Sequence, residues 1–290
     1  MKDYIIFTDS SCDLPAKMAE DLEVDVVPLT VRMDGEEFTN YLDWREITPQ
    51  EFYKKLHTAK DVQTSAPPVD AFLSVLEKAH EAGRDALYIG FTSALSSTYQ
   101  TACVAADIAA DKYPDMKIKM IDTSCAGMGQ GLIVHLAVMY KRRGKTLEET
   151  AEYVEKLCPR VWHLISVADL KHIYRGGRIS AASLAVGMLL KIRPLMCIDA
   201  NGYVSPLRKL RTKKALISAY VEKFRETVIR PATQIIYIGH ADCEDDAKEL
   251  AHRLRDECGV KNFIINHIGP VIGAHGGPGS MALFYVGEPR

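Results

Sequence analysis

The chain has 290 residues, 47% of them hydrophobic and 26% charged, which excludes a disordered or fibrous protein and leaves an ordinary folded one, long enough for two lobes. Its 36 Lys and Arg against 38 Asp and Glu give a formal charge of −2, without the strongly basic character of a general nucleic-acid binder. No apolar run approaches a membrane span, and Asp9 interrupts the first one before a signal-peptide core could form, so we expect a cytoplasmic protein with no more than transient membrane contact.

In chain order, "YIIFTDS" (4–10) reads as a buried strand, and Asp13 as the N-cap of a helix over "CDLPAKMAEDL", with Pro15 in its first turn. "VDVVPLTVRM" (24–33) reads as one second strand in which Pro28 marks a bulge or an edge, and Asp34-Gly35 then turns the chain. Thr48, Pro49 and Glu51 form a capping box that opens the helix "PQEFYKKLHT". A loop, "QTSAPP" (63–68), precedes a helix whose apolar residues Val69, Phe72, Leu73 and Leu76 share one face and which Gly83 stops. Strand "DALYIGF", a helix to about Ala110 and strand "KIKMIDT" follow. Strands alternating with helices predict a doubly wound parallel sheet.

Two consecutive helices, near 127–142 and 146–157, break that alternation, so the chain is expected to divide into lobes 1–158 and 159–290. The second half reads as strand "VWHLISVA", the glycine turn "RGGRIS", an apolar helix at 181–190, and strands "IRPLMCID" and "YVSPLRKL" paired antiparallel across Asn201-Gly202. Helix 212–227, strand "TQIIYIGH", helix 242–257, strand "NFIINHI" and strand "MALFYVG" complete it. This lobe is therefore mixed α/β.

Four stretches hold more hydroxyls and glycines than packing requires: "TDSSCD" (8–13), "TSAPP" (64–68), "SALSSTYQ" (93–100) and "IGPVIGAHGGPG" (268–279). Hydroxyls beside helix N-termini suit a carboxylate or a phosphate. The P-loop pattern is absent and the first strand lacks a GxGxxG turn, which weakens both nucleotide readings. The seven cysteines are dispersed without a CxxC pair and the histidines lack metal-ligand spacing, so no cofactor and no metal are expected. Ser96 and His275 could serve an acyl or phosphate-ester hydrolase or transferase as nucleophile and base, although no GxSxG elbow surrounds any serine. Arg175 and Arg178 flank a Gly-Gly turn that reads as an exposed loop, and "PLRKLRTKK" as a solvated basic face or a docking patch.

As a set, "TDSSCDLP", "TSAPP", "LSSTYQ", "KHIYRGGRIS", "LLKIRPLM", "RTKKA" and "IGPVIGAHGGPG" resemble, in order, the motifs of the DegV family of bacterial fatty-acid-binding proteins. The resemblance implies a two-lobed α/β fold, with a Rossmann-like parallel sheet in the N-terminal lobe, and a long-chain fatty acid such as palmitate buried between the lobes. It implies that Thr64, Ser96 and His275 meet the carboxylate, with Ser65, Ser93 and Ser97 as further candidates. It also implies a carrier without catalytic activity that presents its lipid to a fatty-acid kinase, through a surface containing Arg175, Arg178, Arg208 and Arg211. Burial of about fourteen methylenes at about 0.8 kcal/mol each offers on the order of 10 kcal/mol, enough to anchor such a chain. Ser97 stands where the family commonly has Gly, so the binding loop differs if that position needs positive φ. "SSCD" and Gly276 also depart from the commoner family residues.

Overall fold

In the computed structural model, which describes residues 2–179 and 192–290, the chain builds three sheets around shared helices. The expected apolar helix at 181–190 lies outside the described residues. Strand β1 (Tyr4–Asp9) is buried along its whole length, and a short 3-10 turn and helix α1 (Ala16–Asp21) follow it. Strands β2 (Asp25–Val27), β3 (Thr30–Met33) and β4 (Glu36–Thr39) come next, with helix α2 (Pro49–Thr58), strand β5 (Val62–Ser65), helix α3 (Val69–Glu81), strand β6 (Asp85–Gly90), helix α4 (Thr98–Lys112) and strand β7 (Ile118–Asp122). The order β2-β1-β6-β7 is parallel throughout. Burial of every residue of β1 and β6 fits strands covered by helices on both sides.

Two readings of this half change. The stretch 24–33 is two strands in two different sheets, not one: Pro28 has no N–H to donate, and the next amide, Leu29, donates to Ser10 Oγ at 3.0 Å instead of to a ladder. The stretch 62–65 is strand β5, not loop, and pairs antiparallel with β3 so that Thr64 faces Val31 and Ser65 faces Thr30. Asp34 and Gly35, at φ +48° and +91°, form the two-residue hairpin between β3 and β4. The expected capping box of Thr48 with Glu51 is made, and Thr146 with Glu149 forms a second one.

Helix α5 (Met128–Lys141) lies against β1 and β6 on one side and against strands of the larger sheet on the other, so it is apolar nearly all round. Helix α6 (Leu147–Leu157), strand β8 (Val161–Ser166), helix α7 (Leu170–Arg175), strands β9 (Arg193–Ile198) and β10 (Val204–Leu210), helix α8 (Lys213–Thr227), strand β11 (Ile235–His240), helix α9 (Glu244–Cys258), strand β12 (Asn262–His267), helix α10 (Pro270–Gly276) and strand β13 (Met281–Val286) complete the order. The second sheet runs β10-β9-β8-β13-β11-β12 and is antiparallel except between β11 and β12, a mixed sheet. The largest core cluster joins both sheets through α5, from Tyr4 and Ile6 to Leu132, Val161 and Phe284. Gly129 permits this approach: a β-carbon there would lie 2.1 Å from His163 Nε2. No helix among the described residues is long and apolar enough to cross a membrane.

Candidate functional site

One large cavity, about 1110 Å³ including its open mouth, is walled by strands of the six-stranded and three-stranded sheets and by loops that follow strands of the four-stranded one. The volume is in the range of sites that take a small organic ligand. Its apolar wall includes Ile165, Ile198, Met281 and Phe284 from the second sheet, with Phe91, Ile268 and Ile272. The polar groups come from Thr64 and Ser65 of β5, Ser96 and Ser97 before α4, Arg178 after α7, and His275 of α10. Among the described residues, no cluster of three or more His, Cys, Asp or Glu side chains is arranged to hold a metal.

Thr64 and His275 meet: Thr64 Oγ1 and His275 Nε2 are 3.0 Å apart. The polar sequence "VQTS" reads as loop, yet β3 supplies its hydrogen-bond partners and its last two residues, Thr64 and Ser65, line the cavity. Burial, and then the Arg178 guanidinium, hold the His275 imidazole down to about 4, so the ring is neutral at ordinary pH. Its Nδ1 is buried without a partner and lies against Gly176, where a β-carbon would come within 2.0 Å of it.

Ser96 lies at the mouth of α4, but its Oγ is 2.9 Å from Thr98 Oγ1 and accepts the Thr98 N–H at 3.2 Å. It is half-buried and lines the cavity. Ser97 has φ −78°, ordinary for any residue, so a serine in place of glycine leaves this loop unstrained. Ser93 is not among the lining residues, and its N–H donates to Asp122 Oδ2 at 3.1 Å. Ser65 lines the cavity beside Thr64.

Arg178 departs from the exposed-loop reading. It is half-buried, lines the cavity, donates from Nε to the Leu95 carbonyl at 2.9 Å and from a terminal nitrogen to the Gly176 carbonyl. Arg175, Arg208 and Arg211 are exposed. Arg208 pairs with Glu222 and Glu226, and Lys213 with Asp246 and Glu249, so much of the basic run is answered within the chain. Helix α7 packs Leu170 and Ile173 onto Met196, with Val204 alongside, and leaves Tyr174 and Arg175 exposed, as are Tyr203 just before β10 and Leu207 within it.

Two lining residues, Ser11 and Asp13, were not foreseen as site residues. Asp13 is not the cap of α1, which has Pro15 at that position and no side-chain cap. It adopts φ +50° at the end of the 3-10 turn, is 3% exposed, and accepts the Gly269 N–H on Oδ1 at 3.0 Å. Burial pushes its carboxyl well above the usual range against that hydrogen bond, and Asp9 adds to the rise. Asn40 Oδ1 takes the Val271 N–H at 2.9 Å, so two side chains from the first forty residues hold the start of the helix that carries His275.

The family model described as "Uncharacterised protein, DegV family" matches residues 4–288. A DegV domain-containing protein of Clostridium perfringens is 36% identical over 290 residues, covering 100% of this chain and 99% of the relative, and one of Streptococcus pyogenes is 33% identical over 285 residues, covering 98% of each. Among solved structures, the DegV family protein of Thermus thermophilus described for its fatty acid binding superposes with a TM-score of 0.87 at 29% identity, covering 99% of this chain and 100% of that one. A DegV lipid-binding protein of Thermotoga maritima gives 0.84 at 29%, covering 99% of each. The fatty acid kinase (Fak) B3 protein of Streptococcus pneumoniae, loaded with linoleic acid, gives 0.85 at 21% over 98% of this chain and 99% of that one, an identity at which the likeness concerns the fold. This chain belongs to the DegV family.

Proposed function

We propose that the cavity binds one long-chain fatty acid, its carboxylate at the Thr64, Ser96 and His275 end and its tail along Ile165, Ile198 and Phe284. The observation that carries the reading is the cavity itself: a mostly apolar space with its hydroxyls, one neutral imidazole and one guanidinium gathered from separate elements. Relatives of the same fold at 29% identity are described as fatty-acid-binding, which supports the same ligand class here. With Nε2–H of His275 donating to Thr64 Oγ1, the Thr64 hydroxyl hydrogen is free to donate to a carboxylate. Arg178, a lining residue held by the Leu95 and Gly176 carbonyls, adds positive potential, which favours an anion at this end.

The carrier reading is favoured over the hydrolase one by the pairing of the hydroxyls. His275 Nε2 faces Thr64, and Ser96 Oγ faces Thr98, so the base and the candidate nucleophile are each engaged elsewhere. Presentation of the bound acid to a fatty-acid kinase, through a face containing Arg175 and Arg211 with exposed Tyr174 and Tyr203, is part of the same proposal. We take residues 1–158 and 159–290 as the two lobes closing on the lipid. The four-stranded sheet falls before that boundary and the six-stranded sheet after it.

Native mass spectrometry of the purified protein, followed by extraction and identification of bound lipid, tests the reading. Stoichiometric long-chain fatty acid is the expected result. An empty protein that cannot be loaded, or that turns over acyl esters in a manner lost on Ser96→Ala, would return the site to the hydrolase class.

A further inference from the structure

The cavity has a second polar point that a head group at Thr64 does not use. Asp13 is 3% exposed and lines the cavity; Oδ1 is taken by Gly269, while Oδ2 is buried with no hydrogen-bond partner among the described residues. Oδ2 borders Gly127, itself a lining residue, where a β-carbon would stand 3.6 Å away. Gly269 caps α10 and His275 lies six residues further on, so about 9 Å of helix, at about 1.5 Å per residue, separates this carboxyl from the head-group cluster. Met128 and Ile268, the lining residues next in the chain to Gly127 and Gly269, are apolar. Burial pushes the carboxyl well above its usual range, and the unpartnered Oδ2 can meet a hydroxyl in either state, accepting when ionised and donating when protonated. Methylenes passing it leave that capacity unmet, whereas a hydroxyl on the chain meets it.

We propose that Asp13 forms a subsite for an oxygen substituent carried on the acyl chain, so that the cavity prefers a chain-hydroxylated long-chain fatty acid to the unsubstituted parent. The proposal rests on the fatty-acid reading above.

The experiment is a competition titration of octadecanoic acid and a positional series of hydroxyoctadecanoic acids against the full-length, delipidated protein. A hydroxyl at one region of the chain is expected to tighten binding about tenfold, with weaker binding when it falls elsewhere along the apolar wall. The gain should vanish in Asp13→Leu while octadecanoic acid still binds. Asp13→Asn keeps an acceptor for Gly269 and a donor towards the cavity, so it should retain the preference, which guards against a Leu variant that fails to fold. Wild-type protein that binds octadecanoic acid but prefers none of the hydroxylated isomers overturns the subsite, as does a preference that survives in Asp13→Leu. If neither the parent acid nor its hydroxylated forms bind, the fatty-acid reading itself has failed, and the subsite with it.

Discussion

Thr64 and His275 stand 211 positions apart in the chain and 3.0 Å apart in space. Thr64→Val keeps the branched shape suited to a strand, removes the hydroxyl and leaves His275 Nε2 without its partner. Loss of that bond and of a carboxylate donor should weaken fatty-acid binding about tenfold to a hundredfold, read by competition with a fluorescent fatty acid; unchanged affinity would remove Thr64 from the head-group site. His275 also sets a pH dependence. Its folded value, about 4, lies below the unfolded value of about 6.5, so as pH falls below 6.5 the unfolded chain takes up a proton that the native chain refuses. Stability contributed by the neutral ring is therefore lost progressively between about pH 6.5 and 4, by up to about 3 kcal/mol at about 1.36 kcal/mol per unit. Asp13 acts with the opposite sign, since its raised value favours the native state as pH falls towards the unfolded carboxylate range. Urea unfolding of wild type and His275→Gln isolates the histidine: the difference should move in the variant's favour by about 2 kcal/mol between pH 7 and 5. A constant difference would mean that the ring titrates alike in both states.

The site depends on close approach between α7 and α10 more than on either helix alone. Gly176 ends α7 with φ −69°, a value any residue can adopt, so its lack of a side chain matters for space. A methyl group there would meet His275 Nδ1 at 2.0 Å, and the ring is buried and already committed to Thr64. Gly176→Ala should therefore displace the imidazole, lower fatty-acid affinity at least tenfold and leave the far-ultraviolet circular dichroism unchanged; wild-type affinity would show that the ring has room to retreat. Local sequence made several elements legible. The Thr48 capping box marks the start of α2, and Gly83, at positive φ, stops α3. The elements that the local sequence does not declare are short. "VQTS" forms a strand because β3 supplies its hydrogen-bond partners, and seven residues of "PVIGAHG" form a helix whose first turn is held by Asp13 and Asn40.

The molecule as a whole packs two sheets on opposite sides of α5 and opens a cavity where their edges and loops converge. A ligand that touches elements from both sheets stabilises only the state in which those elements stand together. Free fatty acid at a hundred times its dissociation constant should add about 2.7 kcal/mol of stability and raise the melting temperature of delipidated protein by several degrees. Scanning calorimetry before and after reloading reads this directly, and no shift with a bound, quantified acid would mean that the acid binds the unfolded chain as well.

The alternation of apolar runs with helical periodicity determined by itself the parallel layer of the first half, and the Asn201-Gly202 turn the antiparallel pair that makes the second half mixed, while the small β4-β3-β5 sheet came only with the tertiary structure. The sequence also marked the four hydroxyl-rich stretches, since strand and helix ends leave backbone groups that such residues answer. What those stretches share was decided only by tertiary structure. Thr64 reaches His275 through the β3–β5 pairing, Arg178 turns into the cavity to answer the Leu95 carbonyl, and Asp13 is drawn from a helix cap into the cavity wall by the Gly269 amide. Each of these contacts joins residues, or satisfies burial, that lie outside any local window, so no local pattern carries them.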